Sequence, residues 1–414
     1  MITNLKKYLP YLLPLLLIFS RSVADITIVL ISILFIYHSY KKLGWGWVKE
    51  KWFCFALIFW VYCLTINSAF SINPTESLAY SLFFIRWPIF AMALAYWILT
   101  DIKSLKKFLL AMTLVLIFII FDTWWQFFFE QDIFGFEKYM PNRLTGPFKG
   151  NPHVGAWIAK LILLPPLFLI LYDKLKLQEH QNCLTYSFFI ISTILFLSVA
   201  ITGERMALLL SLASIFILFI GLALNKIFLL KKISLLLLFS FFAILIFAYS
   251  FPHITERAYF STIEKILNWR TSDYGLVWQS AYDVWVQSPL FGAGLHKYRE
   301  ACENLGIYGS SYLNAIGGGV CFHPHNISIQ LLSETGLVGF ILFYAMVIVL
   351  AFTSLKIYFT SKLWLSFALV FNIIFTCFLP IASSTSFFAN KYGAIVWLLV
   401  GVMLATNGLF KKEN

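Results

Sequence analysis

A chain of 414 residues that is 60% hydrophobic and only 12% charged cannot hide its apolar surface as a soluble globule, whereas a bilayer can. The mean hydropathy of +0.82 points the same way, and aromatics at 19% suit interfacial belts. The net charge of +12 would suggest nucleic acid in a soluble protein, but these charges fall in short loops between apolar runs. Topology accounts for most of them, and no nucleic-acid partner is expected.

A spanning helix needs roughly 20 mostly apolar residues. Candidate runs are 5–20, 23–39, 52–70, 78–99, 108–129, 154–172, 184–201, 206–224, 233–251, 326–352, 363–381 and 391–409. The expectation is an all-α, polytopic membrane protein of about twelve spans. The first run lacks a small-residue cleavage site and a second follows at once, so it reads as a retained span. One set of loops carries Lys6, Lys7, Lys41, Lys42, Lys103, Lys106, Lys107, Lys226, Lys231, Lys232, Lys411 and Lys412. The positive-inside rule puts these loops and both termini in the cytoplasm. The loops 130–153 and 252–325 then lie outside. This divides the chain into a bundle, 1–251, an outer loop, 252–325, and a closing set of spans, 326–414.

The arginines break the pattern. Arg21, Arg86, Arg143, Arg205, Arg257, Arg270 and Arg299 all fall on the outer side or in outer halves of spans. A guanidinium binds phosphate oxygens bidentately, as an ammonium does not. The set points to an anionic, phosphate-bearing ligand outside; ordinary loop ion pairs are the alternative. Arg86 and Lys160 lie within apolar runs, where a charge is either functional or snorkels to the interface. Glu204 either orients Arg205 or serves as a solvated cap.

In the large loop, Arg257 to Trp269 reads as a short amphipathic helix. Tyr274 to Gln287 reads as a second, with Trp278, Tyr282 and Trp285 forming a packing or membrane-contact stripe. A third helix is expected over 296–305, followed by a glycine-rich stretch, 306–319. Cys302 and Cys321 flank that stretch on the outer side, where thiols oxidise, and are expected to pair. A competing reading makes Cys321, His323 and His325 metal ligands. Cys54, Cys63, Cys183 and Cys377 read as apolar fillers.

The stretch His323-Pro324-His325-Asn326 joins this loop to an apolar run. With Pro324 at the first helical position, His325 lies inside the first turn. The helix end and nearby arginines disfavour imidazolium, leaving a neutral base beside an anion site. Asn326 and Gln330 are then polar partners. The bland alternative is an interfacial histidine that only caps a helix.

Four stretches resemble the O-antigen ligase and polymerase superfamily of bacterial envelope glycosyltransferases. They are Arg143 to Phe148 with Asn151-Pro152-His153, Thr202 to Leu209, Trp278 to Gly294, and His323 to Asn326 with Gln330, Glu334, Thr335, Gly336 and Gly339. His153 departs from the family's more usual asparagine and is given no role. The resemblance implies a GT-C-like fold in the inner membrane with its active site facing the periplasm. It implies transfer of a glycan from an undecaprenyl-pyrophosphate carrier to a lipid A–core or other glycan acceptor, with inversion and without cofactor or metal. His325 is then the base, and Arg205 and Arg270, with Arg143 and Arg86, hold pyrophosphate. Asn326, His323, Gln330 and Glu334 support them. Rival expectations are a polymerase joining units on the same carrier and a flippase for lipid-linked glycans.

Overall fold

The computed structural model describes residues 2–172, 181–224, 267–306, 321–361, 364–382 and 385–413, with scattered positions between 234 and 264. Its helices are α1 (Ile2–Phe19), α2 (Arg21–His38), α3 (Lys51–Tyr62), α4 (Pro74–Phe84), α5 (Arg86–Ala93), α6 (Ile102–Phe129), α7 (Val154–Leu161), α8 (Leu164–Tyr172), α9 (Gln181–Ala200) and α10 (Arg205–Leu224). After these come α11 (Asp273–Gln287), α12 (Tyr298–Asn304), α13 (Ile327–Ser361), α14 (Trp364–Ile373) and α15 (Asn390–Glu413). No strand occurs among the described residues.

Short polar side chains start several helices. Asp101 accepts from the Ser104 amide at 2.8 Å in a capping box that opens α6. Asn73 accepts from the Glu76 amide at 3.3 Å, with Pro74 in the first turn of α4. Apolar residues then sustain the helices. Among the described residues, six are long and apolar enough to cross a membrane: Arg21–Leu43, Pro74–Ile98, Ile102–Phe129, Val154–Leu171, Ile327–Lys356 and Asn390–Leu409. Shorter apolar helices cover Tyr8–Phe19, Lys51–Asn67, Tyr186–Ala200, Arg205–Gly221 and Phe367–Phe378. Each corresponds to one of the expected runs; the run 233–251 lies mostly outside the described residues. The chain is a helical, polytopic membrane protein.

The core runs the length of the bundle. α13 packs on α3, α15 and α2 on α5, α10 on α14, and α6 on α8. Trp52 and Trp397, both buried, stack at its centre with centroids 6.2 Å apart.

α13 is broken at Gly336, whose backbone lies at φ 64°, ψ −175°. A broken helix in a membrane must satisfy its freed groups within the protein. Here the segment 289–294 does so. The Ala293 and Gly294 amides donate to the Ser333 and Glu334 carbonyls at 2.8 and 2.9 Å. The Leu337 and Val338 amides donate to the Pro289 and Leu290 carbonyls at 2.9 and 3.2 Å. Asn67 Nδ2 adds a bond to the Glu334 carbonyl at 2.9 Å, and Tyr62 Oη donates to the Thr335 carbonyl at 2.7 Å. The backbones approach so closely that only glycine fits at positions 292 and 336.

The segment 289–300 is thereby stitched to the bundle. Lys297, almost fully buried, pairs with Glu76 at the start of α4 and with Glu300 at 2.9 Å. Burial opposes the charge on Lys297, but those two carboxylates outweigh it and hold the ammonium above its usual range. α11 buries Val277, Ala281 and Val284, whereas Tyr282 is exposed. The packing stripe is therefore the aliphatic one, because small side chains let α11 sit close to α12 and α13. The expected helix at Arg257 to Trp269, including Arg257, and the stretch 307–320 fall largely or wholly outside the described residues.

Cys302 and Cys321 are joined in a disulfide, with Cα atoms 5.6 Å apart, inside a small core with Ala281, Val284, Ala293 and Tyr298. Closing this loop contributes about 3 kcal/mol. Replacing both cysteines with serine should lower the thermal midpoint in detergent. Unchanged melting, or no response of the wild type to reductant, would contradict that contribution.

Candidate functional site

The site is assembled where the loop 143–153, the turn between α9 and α10, and the start of α13 meet. Gln126, buried near the end of α6, anchors the first of these. Its Oε1 accepts from the Thr145 and Gly146 amides at 2.8 and 3.0 Å, and its Nε2 donates to Thr145 Oγ1 at 2.9 Å. Gly146 sits at φ 50°, and a side chain there would meet Thr123 and Val154. The Leu144 amide then bonds the Thr202 carbonyl at 3.3 Å. Glu204 completes the junction by accepting from the Gly155 and Ala156 amides at 2.7 and 3.2 Å. It caps α7, the helix that starts immediately after His153. Glu204 is thus not a solvated cap, since its buried carboxylate bonds the amides that open α7. Burial pushes its pKa up to about 7, against the pull of Arg143 and the two amides.

α13 begins three residues later than expected, at Ile327 rather than Pro324. Asn326 is its cap, accepting from the Ser328 and Ile329 amides at 2.9 and 3.3 Å. Asparagine outcompetes the proline register because its side chain satisfies two orphan amides. Pro324 therefore lies outside the helix, and His325 precedes the cap with a left-handed backbone, φ 51°. That geometry turns its ring against His323, with centroids 3.7 Å apart. Tyr274 of α11 meets the same ring edge to face at 5.9 Å.

Four groups named in the sequence converge here. Burial first, and then the charges of His323, Arg143 and His153, hold His325 well below the usual histidine range. His153 is held down to about 3 by burial, then by Lys391, Arg143, His323 and Lys160. Both rings are therefore neutral at pH 7. Arg143 donates to the Pro152 carbonyl at 3.4 Å and keeps its Nε buried without a hydrogen-bond partner. The Nδ1 of His153 is likewise buried and unpartnered.

The other expected residues flank this cluster or stand apart. Arg205 opens α10 directly after Glu204 and is half-buried. Arg270 is exposed on a short turn just before α11, four positions ahead of Tyr274. Gln330 and Glu334 are structural: Gln330 Nε2 bonds Ser386 Oγ at 2.7 Å and Glu334 Oε1 at 3.0 Å. Glu334 Oε2 accepts from the His296 amide at 2.8 Å. Arg86 commits its donors elsewhere, to Asp25 at 3.1 Å, the Phe83 carbonyl at 2.6 Å and Asn390 at 2.9 Å. It ties α2, α5 and α15 together. Lys160 does not snorkel, being 3% exposed, with its ammonium 4.8 Å from the Tyr392 ring centroid. Cys321, tied in its disulfide, is no thiolate donor to the histidines, so the competing three-ligand metal reading loses one of its ligands.

Two residues escaped the sequence reading. His153 was set aside as a departure from the family pattern, although it joins the cluster. Lys391, at the start of α15, has its ammonium 3.8 Å from the Phe148 ring centroid and 5.2 Å from that of Trp157. The available signal was a lysine on the arginine side of the topology.

The arrangement can take a proton at a neutral imidazole and bind an anion between guanidinium and ammonium groups. No curated protein matches the chain. Residues 188–344 match the family model described as O-antigen ligase (Wzy_C), a segment that contains Glu204, Arg205, Arg270, the disulfide, His323, His325 and the break in α13. Over that segment the chain is similar to the O-antigen ligase and polymerase superfamily.

Proposed function

We propose that this protein is an O-antigen ligase that transfers a glycan from undecaprenyl pyrophosphate to a hydroxyl of a lipid A–core acceptor. The observation that carries the reading is a half-buried His325 ring, packed on His323 at 3.7 Å and against Tyr274, and held neutral by burial and nearby Arg143. In the proposed step, the His325 imidazole takes the acceptor hydroxyl proton as that oxygen attacks the anomeric carbon. The bond from that carbon to the pyrophosphate oxygen breaks, and undecaprenyl pyrophosphate leaves with the electron pair. Inversion follows from a single displacement. Arg143, Arg205 and Arg270 stabilise the charge that develops on the leaving group. With the lysine loops in the cytoplasm, the histidine end faces the periplasm.

A polymerase would use the same carrier and nearly the same residues. The paired Cys302 and Cys321 beside the His-Pro-His-Asn sequence favour the ligase. A deletion strain distinguishes them. Long carrier-linked glycan should accumulate; single carrier-linked repeat units would instead identify a polymerase.

The arginines give a second test. If they grip pyrophosphate bidentately, lysine cannot replace them despite equal charge. Arg143→Lys, Arg205→Lys and Arg270→Lys should each reduce turnover by about tenfold or more. Near-normal turnover in all three, in a purified assay, would remove pyrophosphate gripping from the account.

A further inference from the structure

A second feature lies beside the histidine cluster, where α1, α2 and α15 meet. A small, partly open recess, with about 10 Å³ of enclosed space, is lined by Arg21, Asp25, Asn390 and Lys391 on its polar side and by Leu17 and Ala24 on its apolar side. The cations are not balanced from within. Asp25 gives one carboxylate oxygen to Arg86 Nε at 3.1 Å and the other to Asn390 Nδ2 at 3.2 Å. Its charge is thus matched by Arg86, and neither Arg21 nor Lys391 has a carboxylate partner among the described residues. Two helices, α2 and α15, also begin at the cavity, so their positive dipole ends add to the same field. The Ser20 side chain makes no capping bond at the start of α2.

The surroundings select the kind of anion. Phe19, Val23 and Ile26, next to the cavity in sequence, are 42%, 46% and 66% exposed. In a membrane bundle such side chains face lipid. A site with unbalanced cations on one flank and a lipid-facing apolar wall on the other fits the phosphate of an amphiphile. Lys391 then links the cavity to the reaction site, because its ammonium reaches over Phe148 and Trp157 and acts on His153.

We propose that Arg21 and Lys391 form a binding site for the phosphate of a membrane lipid, entered from the bilayer. It is placed to pass a lipid-linked anion to the histidine cluster. The hand-over rests on the transferase reading above; the cavity does not.

The test is binding. Purified protein in maltoside micelles is mixed with undecaprenyl phosphate, phosphatidylglycerol or inorganic phosphate, and retained probe is read by native mass spectrometry. A lipid phosphate should be held, and the ratio of the two lipids identifies its source. The double variant Arg21→Gln, Lys391→Gln should reduce occupancy by at least about tenfold, since charged hydrogen bonds are lost. Arg21→Lys and Lys391→Arg keep the charge and should keep the probe, which guards against simple misfolding. Wild-type occupancy in the double variant would overturn the site, as would failure of the wild type to hold either lipid. Retention of inorganic phosphate alone would overturn the lipid assignment. His325→Ala leaves the cavity intact and should retain the probe. Probe binding without any glycan transfer by the wild type would sink the transferase reading and leave the cavity standing.

Discussion

His325→Ala should yield a folded, membrane-inserted protein that transfers glycan about 10²–10⁴-fold more slowly, the usual contribution of a positioned base. His323→Ala should retain much of the activity. The two rings lie 3.7 Å apart, so position alone does not separate them. Their environments do. Burial first, and then neighbouring His323 and Arg143, act together to keep His325 unprotonated. A base must be neutral to accept a proton, so activity should persist as pH falls until His325 is protonated. With its pKa depressed, the acid limb of kcat/KM should lie below pH 6.5. Because position 325 has a left-handed backbone, His325→Asn is the better control for strain, asparagine tolerating that region. It should be as inactive as the alanine variant. The reverse ranking of the two histidines, at matched protein levels, would assign the base to His323.

Gly336→Ala should be the most damaging single change to the fold. Its φ of 64° is unfavourable for any residue with a Cβ, and an added Cβ would lie 2.2 Å from the Leu290 carbonyl oxygen. Backbone strain and overpacking together amount to about 2–6 kcal/mol. The damage would extend beyond one contact, because the segment 289–294 fills the break and carries the bonds that join the outer loop to α13. The expected result is loss of the well-folded protein in detergent, read by size-exclusion chromatography and thermal melting. Wild-type melting would mean that the break is not the joint described here.

The helical architecture was legible because membrane spans announce themselves. Apolar runs bounded by polar caps, such as Asp101 before α6, carry the signal within one local window. Arg143 and His325 were both named as candidate site residues, from motifs in separate loops. What was hidden depended on contacts between distant segments. Asn326 rather than Pro324 governs the start of α13, since the competition between two capping registers is decided by which amides the side chain reaches. Glu204 looked like a partner for its neighbour, yet it caps α7, 49 residues away. Gly336 showed only as part of a motif, and neither the break there nor the segment that fills it could be read from spacing. Arg86 looked like an anion ligand until Asp25 and Asn390 took up its donors. Lys391 stood unremarked as the first residue of the expected run 391–409 and gains meaning from the aromatic rings under it.

The most direct measurement is reconstituted transfer with purified protein, an undecaprenyl-pyrophosphate-linked glycan and a lipid A–core acceptor. The predicted result is a new glycosidic bond to the acceptor with inverted anomeric configuration, release of undecaprenyl pyrophosphate, and no product with His325→Ala. Carrier-linked units joined to each other, or donor moved across the bilayer with no new glycosidic bond, would contradict the account.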